Sequence, residues 1–293
     1  GLINVKSLIS DIVDIDDYLK IYKFIENSKS VASIINYKNT NYSNEIIINE
    51  NKNILDNEGI GIVGAGNFTK MVILPQLYKL NAKIVCIVSA LGLNATKLGK
   101  KYQVRSCSTN YDDILNSNKI NTIIIATRHN LHSKMVIKAL KKNKNIFVEK
   151  PFALNSNELE KILNSYKKSK SIITVGFNRR FSFFTSKIKS LLGEINSPIN
   201  IIINVNAGVI SENSWVHDME IGGGRIVGEA CHFIDLISFI SSSEVTHVCM
   251  NSLGLKPKIN TDNATILLRY KNGSNGVINY FSNGNKSYSK ERI

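Results

Sequence analysis

The sequence is short of cysteine and of acid. Four cysteines stand among 293 residues, and no two form a Cys-x-x-Cys pair. That spacing argues against a zinc ribbon or a disulfide framework, and no metal is expected. Cys86 and Cys249 lie in apolar runs and are expected as buried thiols. No apolar run reaches the length that crosses a bilayer. No basic, apolar, small-residue leader opens the chain, so a cytoplasmic location without a membrane partner is expected. Internal repeats are missing. Acids number 23 against 37 Lys and Arg, a net charge of +14. The cations are dispersed among Asn and Ile, and they gather where helices should end, at Lys141-Lys142-Asn143-Lys144 and Lys167-Lys168, where they suit the helix dipole. They read as solvated. No aromatic-basic motif accompanies them, and nucleic acid is not expected as a partner. A positive field would still favour a phosphate-bearing small substrate.

What is present is enough for two domains and a large core, with apolar residues at 43%. Residues 1–37 form a small unit: an extended 5–13, a helix over 16–27 through Tyr18, Ile21, Tyr22 and Ile25, and a strand over 31–37. The unit is too short to bury a core alone. With Gly1 and not Met at its head, it is expected to be the tail of a larger domain, and the chain a fragment. Residues 38–58, rich in Asn, Glu, Lys and Ser, read as a linker with one strand over 46–48.

From residue 59 strands and helices alternate. Strands are expected over 59–63, 83–88, 120–126 and 145–148, and helices over 71–80, 95–102 and 131–142. The alternation predicts a Rossmann-type, doubly wound parallel sheet over 59–152. Asn155 and Glu158 form a capping-box pattern that opens a helix through Tyr166. After a strand over 172–176 the pattern changes. A strand over 199–209, a helix over 225–240 and strands over 244–253, 263–270 and 276–281 follow, with a hairpin turn at Lys271-Asn272-Gly273-Ser274. Residues 153–293 therefore read as an α+β substrate and oligomerisation domain with a mostly antiparallel sheet. The close of the chain just after its last strand again suggests truncation.

Two motifs carry chemistry. Ile62-Val63-Gly64-Ala65-Gly66-Asn67-Phe68-Thr69 is a strand running through a glycine turn into a helix. Gly64 permits the tight turn. Gly66 leaves room for a pyrophosphate against the helix-start N–H groups, and Thr69 is small enough for close packing. No Asp or Glu stands between Lys83 and Asn110, where an acid would bind the ribose of NAD. Ser89 suits either cofactor, so NAD and NADP both remain open. The second motif is Glu149-Lys150-Pro151, at the end of the apolar run Ile146-Phe147-Val148. A lysine at the mouth of a buried strand reads as a placed functional group. A third polar strand end, Thr127-Arg128-His129-Asn130-Leu131-His132, belongs to the same sheet edge.

This combination resembles the glucose–fructose oxidoreductase and inositol dehydrogenase family, Gfo/Idh/MocA, over roughly residues 59–285. The resemblance implies that Lys150 is catalytic beside the nicotinamide and that the bond before Pro151 is often cis. It implies a second signature in the segment from Trp215 through His217, Gly222-Gly223-Gly224 and Glu229 to His232 and Asp235, with His232 as the catalytic histidine. The family's aspartate one turn before that histidine is Gly228 here, and Glu229 is the expected substitute, with Asp235 orienting the ring. Gly64, Gly66, Asn67, Phe68, Ser89, Thr127, Arg128, His129, His132, Glu149 and Lys150 are expected to hold the cofactor. Arg179, Arg180, Trp215, His217, Glu229 and Asp235 are candidates for the substrate, a sugar or nucleotide-sugar oxidised or reduced at a secondary alcohol. The wording at Gly176-Phe177-Asn178-Arg179-Arg180 and Glu229-Ala230-Cys231-His232 resembles a bi-domain branch. There, a zinc-type medium-chain dehydrogenase precedes this module and residues 1–37 would be its remnant. A homo-oligomer through the antiparallel sheet is a family analogy. The contrasting expectation is a non-catalytic dinucleotide sensor of the same fold, which the missing aspartate favours and Lys150 and His232 oppose.

Overall fold

The computed structural model describes residues 4–26, 31–37, 43–193 and 197–293. The expected helix end at Asn27 and the expected linker residues 38–42 lie outside the described residues. Two compact units emerge, Gly1–Asn44 and Glu45–Ile293. The first holds strand β1 (Ile9–Asp14), helix α1 (Leu19–Glu26) and strand β2 (Ala32–Asn36), with β1 and β2 paired in parallel. None of its described residues is fully buried.

The second unit contains a seven-stranded sheet. Its strands are β3 (Glu45–Ile47), β4 (Gly59–Val63), β5 (Ile84–Val88), β6 (Ser106–Ser108), β7 (Ile120–Ile125), β8 (Asn145–Val148) and β9 (Ile173–Val175). They lie in the order β3-β6-β5-β4-β7-β8-β9. Every pairing is parallel except the edge pair β3 with β6. Strand β5 is buried along its whole length, as expected of a parallel strand covered on both faces. Helices α2 (Leu74–Lys79), α3 (Leu93–Tyr102), α4 (Tyr111–Asn116) and α5 (His129–Lys141) cover the sheet. In α5 the buried His132, Val136, Ala139 and Leu140 recur at helical spacing and form its core face. The next helix, α6 (Ser156–Tyr166), starts as its sequence predicts. Asn155 Oδ1 accepts from the Glu158 N–H at 3.0 Å, and the Glu158 carboxylate accepts from the Leu154 N–H at 3.0 Å.

Part of the expected linker is corrected by this sheet. β3 pairs with β6, and Ile54 is buried in the core beside Val85 and Ile114. Ile48 and Ile54 pack against the core and, with the backbone pairing of β3, fix this segment to the domain, while Ile46 and Ile47 stay exposed. Lys144 is also corrected. It is not a solvated helix-end lysine but is buried, with its amine donating to the carbonyls of Ser117, at 2.8 Å, and Ile120.

The remaining strands form a five-stranded sheet: β10 (Asn200–Asn206), β11 (Val245–Ser252), β12 (Ala264–Tyr270), β13 (Asn275–Phe281) and β14 (Glu291–Arg292), in the order β11-β12-β13-β10-β14. All pairs are antiparallel except β10 with β13. Helix α7 (Phe183–Leu192) precedes it, and helix α8 (Cys231–Ser241) lies on it. Phe233, Leu236, Ile237 and Ile240 of α8 pack with Ile203, Val205, Ile266 and Ile278 of the sheet. Burying four such side chains contributes roughly 8 kcal/mol before entropy is set against it. Strand β11 lies at the edge, and its residues are exposed except for a half-buried Ser252. Cys249 is therefore exposed and not a buried thiol, whereas Cys86 and Cys107 are buried.

Candidate active site

The parallel strands bring four candidate segments to one edge of the sheet. The carboxyl ends of β5, β4, β7 and β8 stand side by side, carrying Ser89, Gly64-Ala65-Gly66, Thr127-Arg128-His129 and Glu149-Lys150. Strand order reverses between β4 and β7, the place where open sheets of this kind receive ligands.

The glycine turn has the shape a pyrophosphate requires. Gly64 has φ +100°, and a Cβ there would lie 2.3 Å from the Ala126 carbonyl oxygen, so residue 64 must be glycine. A Cβ on Gly66 would meet nothing within 4 Å. That is an open cradle above the start of a helix. Thr69 Oγ1 donates to the Gly64 carbonyl at 2.7 Å and ties the turn to the helix behind it. A π-helical segment, Thr69–Ile73, leads into α2. Asn67 and Phe68 are exposed at the mouth of the cradle, as cofactor-facing residues would be. These residues fit a dinucleotide.

Farther along the same edge, His132 is buried and stitches two strand ends together. Its Nδ1 lies 2.8 Å from the Pro151 carbonyl oxygen and its Nε2 3.2 Å from that of Thr127. Burial lowers its pKa, so the ring is neutral and donates at one nitrogen. The Lys150–Pro151 peptide bond is cis. Glu149 is half-buried, and burial raises its carboxyl pKa while the Lys150 charge opposes the rise.

Lys150 crosses from the Rossmann sheet to the second half of the unit. Its Nζ donates to the Gly228 carbonyl at 2.7 Å. Gly228 lies in a second π-helical segment, Ile226–Ala230, which runs directly into α8. Such segments are frequent at functional sites. His232 follows one turn later, 6% exposed, with a buried Nδ1 that has no protein partner. Burial, then the charges of Lys150 and Arg179, push its pKa down to about 3. The site thus holds a neutral imidazole with an uncommitted nitrogen that feels the Lys150 charge.

Two other expectations are corrected. Glu229 does not stand in for the missing aspartate. Its Oε2 accepts from Tyr280 at 2.6 Å and from Arg225 Nη2 at 2.9 Å. Burial would raise its pKa, but those hydrogen bonds and the Arg225 charge outweigh burial and hold it below the carboxylate range. Arg225, 2% exposed, also donates to the carbonyls of Gly208, at 2.6 Å, and Ala207, at 3.2 Å. The carboxylate is thus bound into a structural network. Asp235 does not orient His232 either. It forms a two-pronged pair with Arg180, whose Nε lies 3.0 Å from Oδ2. Arg179 is likewise paired, with Glu291, and its guanidinium lies 4.7 Å from the Phe233 ring centre. The spacing alone does not show that Asp235 pairs with the distant Arg180, or that Glu229 is held by the distant Tyr280 together with Arg225. Arg225 was the residue the sequence reading missed. Its one local signal is Glu229 four residues on.

Trp215 and His217 sit on the loop before the second π-helical segment. Trp215 packs edge-on against His129, with centroids 4.9 Å apart, and Arg128 lies over its ring at 5.7 Å. His217 makes its contacts away from Lys150. Its Nδ1 is 3.6 Å from Asp262, which in turn meets Arg225. It borders a separate cleft of about 630 Å³ with Lys256, Asn260 and Asp262.

Residues 59–177 match the description "Oxidoreductase family, NAD-binding Rossmann fold", and residues 192–293 match "GFO/IDH/MocA C-terminal domain". The uncharacterized oxidoreductase YrbE of Bacillus subtilis (strain 168) is 28% identical over 74% of this chain and 65% of its own. The myo-inositol 2-dehydrogenase of Thermotoga maritima is 25% identical over 75% of this chain and 67% of its own. The chain thus spans about two thirds of the length of these curated relatives. The crystal structure of the WlbA dehydrogenase from Bordetella pertussis, in complex with NADH and UDP-GlcNAcA, shares the fold. Its TM-score is 0.68 at 19% identity, covering 78% of this chain and 70% of that one.

Proposed function

The chain belongs to the Gfo/Idh/MocA oxidoreductase family, and from that membership we propose that it is an NAD(P)-dependent dehydrogenase acting on a secondary alcohol or ketone of a sugar or nucleotide-sugar. The observation that carries this reading is the reach of Lys150 from the dinucleotide edge to Gly228, one turn before His232. Oxidation of a secondary alcohol removes a hydride from carbon and a proton from oxygen. A nicotinamide supplies the hydride acceptor when bound. Gly64, Gly66, Asn67 and Phe68 hold the pyrophosphate, and Thr127 and His132 shape the neighbouring wall. Lys150 Nζ hydrogen-bonds the reacting oxygen and receives its proton in oxidation; in reduction it returns that proton to the carbonyl oxygen. His232, neutral and with Nδ1 uncommitted, hydrogen-bonds the same oxygen and helps to orient it. The substrate class is supported by the inositol dehydrogenase among the relatives and by the nucleotide-sugar in the WlbA complex.

The bi-domain reading belongs here as well. Residues 1–37 are read as the remnant of a preceding dehydrogenase module, supported by a β-α-β unit whose Ile12, Tyr22, Val31 and Tyr37 are all exposed. Expression with the preceding module should cover those side chains and slow hydrogen exchange at the backbone amides beside them, and unchanged amide protection would end this reading.

The test of the main reading uses myo-inositol and UDP-linked sugars as probes. Lys150→Ala is expected to lower NADH formation by about 10²-fold or more while NADH fluorescence still reports binding. Full turnover without Lys150 would remove it from the mechanism. Tight NADH binding with no turnover of any probe by the native protein would favour the sensor.

A further inference from the structure

His129 was expected to line the cofactor side, but its contacts lie with the glycine-rich turn. Its Nδ1 donates to the Gly222 carbonyl at 2.8 Å. Its ring meets Trp215. Its Cε1 lies 3.0 Å, and its Nδ1 3.4 Å, from the point where a Cβ on residue 228 would stand. The Gly222 oxygen is 3.6 Å from that same point. One imidazole therefore touches both ends of the turn 222–228. The far end of that turn is the carbonyl that accepts the Lys150 amine.

We propose that His129 is a positioning residue for Lys150, acting through Gly228: its ring fills the volume that a side chain at 228 would take and fixes the 228 carbonyl where it holds the amine. The proposal rests on the reading of Lys150 as the acid–base group. Space and hydrogen bonding both point this way. A Cβ at 228 would press on the ring edge, so glycine at 228 and histidine at 129 form a matched pair. The Nδ1–H bond to Gly222 fixes the ring's rotation, so the Cε1 edge cannot swing away without breaking that bond. Burial, with the nearby Lys150 charge, lowers the His129 pKa to about 4, so the ring braces the site without setting a second cation beside the amine. The amine is thus held by a peptide dipole at a position where the family resemblance expects a carboxylate.

Trace acetylation with isotope-labelled acetic anhydride, read peptide by peptide, gives the reactivity of Lys150 relative to the exposed Lys134 of the same molecule. NADH fluorescence checks that each variant still binds dinucleotide, and emission of Trp215, the single tryptophan, reports the turn. His129→Ala is expected to raise Lys150 labelling about fivefold. His129→Asn keeps a donor for Gly222 and should stay near the native value. Gly228→Ala should raise labelling in the native background, where the ring edge blocks the new methyl, and add nothing in the His129→Asn background, where that edge is gone. Equal labelling of Lys150 in native and His129→Ala proteins would overturn the proposal, as would equal effects of Gly228→Ala in both backgrounds. If His129→Ala no longer binds NADH, the Asn pair decides. Full turnover in Lys150→Ala would defeat the acid–base reading itself. An essential Lys150 with labelling indifferent to residue 129 would defeat only the positioning role.

Discussion

His232 holds a nitrogen without a protein partner in a place where water has little access. Leaving such a group unpaired costs stability, so its retention suits a residue reserved for a ligand. Its folded pKa of about 3 lies below its ordinary value of 6.5. The unfolded chain therefore takes up the proton first. The stability that the neutral ring confers is complete above about pH 6.5 and is lost as the pH falls toward 3. Urea unfolding of native protein and His232→Asn at pH 7 and pH 4 reads the difference. The variant should lose about 2 kcal/mol less on acidification. Equal losses would mean that the imidazole is solvated in the folded protein. At this scale Lys150 and His232 were legible because a single motif names each. Glu229 and Asp235 were not, since nothing near them in sequence announces Tyr280 or Arg180.

The glycine turn between β4 and α2 shows how an element can be written into a few letters. Gly64 faces the backbone of the strand β7 end, and an added methyl would collide with a carbonyl that cannot yield. Gly64→Ala is therefore expected to cost about 2 kcal/mol or more of stability and to weaken NADH binding with it. Thermal melting with and without NADH measures both, and a native-like melt would show that the turn relaxes. The strands of the parallel sheet were readable where they are apolar and buried, as in β5 and the second half of β7. Strand β6 was not, because Ser106-Cys107-Ser108 carries one apolar side chain. Helix α4 was hidden for a similar reason: Asn110 caps it, accepting from the Asp112 N–H at 3.0 Å, but its body has only six residues. Helix α7 begins with Phe183 and Phe184, both exposed, so its apolar letters do not mark a core face. The π-helical segments leave no periodic signature at all.

The whole molecule divides its labour between a sheet that presents the dinucleotide edge and a second sheet that carries α8 and His232. Among the described residues no helix is long and apolar enough to cross a membrane. The second sheet has one parallel pairing among antiparallel ones, and this bears on assembly. Strand β10 comes first in sequence, yet both of its neighbours come last: Asn200 pairs with Asn275, and Asn204 with Arg292. The β12–β13 hairpin can close over a four-residue turn as soon as it is made, whereas β10 must wait for the rest of the domain. Pulse-labelled hydrogen exchange during refolding should find the amides of β12 and β13 protected before those of β10, and simultaneous protection would refute the order. Until β10 docks, its Ile203 and Val205 cannot close over α8, so the apolar side of α8 is the surface that stays uncovered longest during refolding.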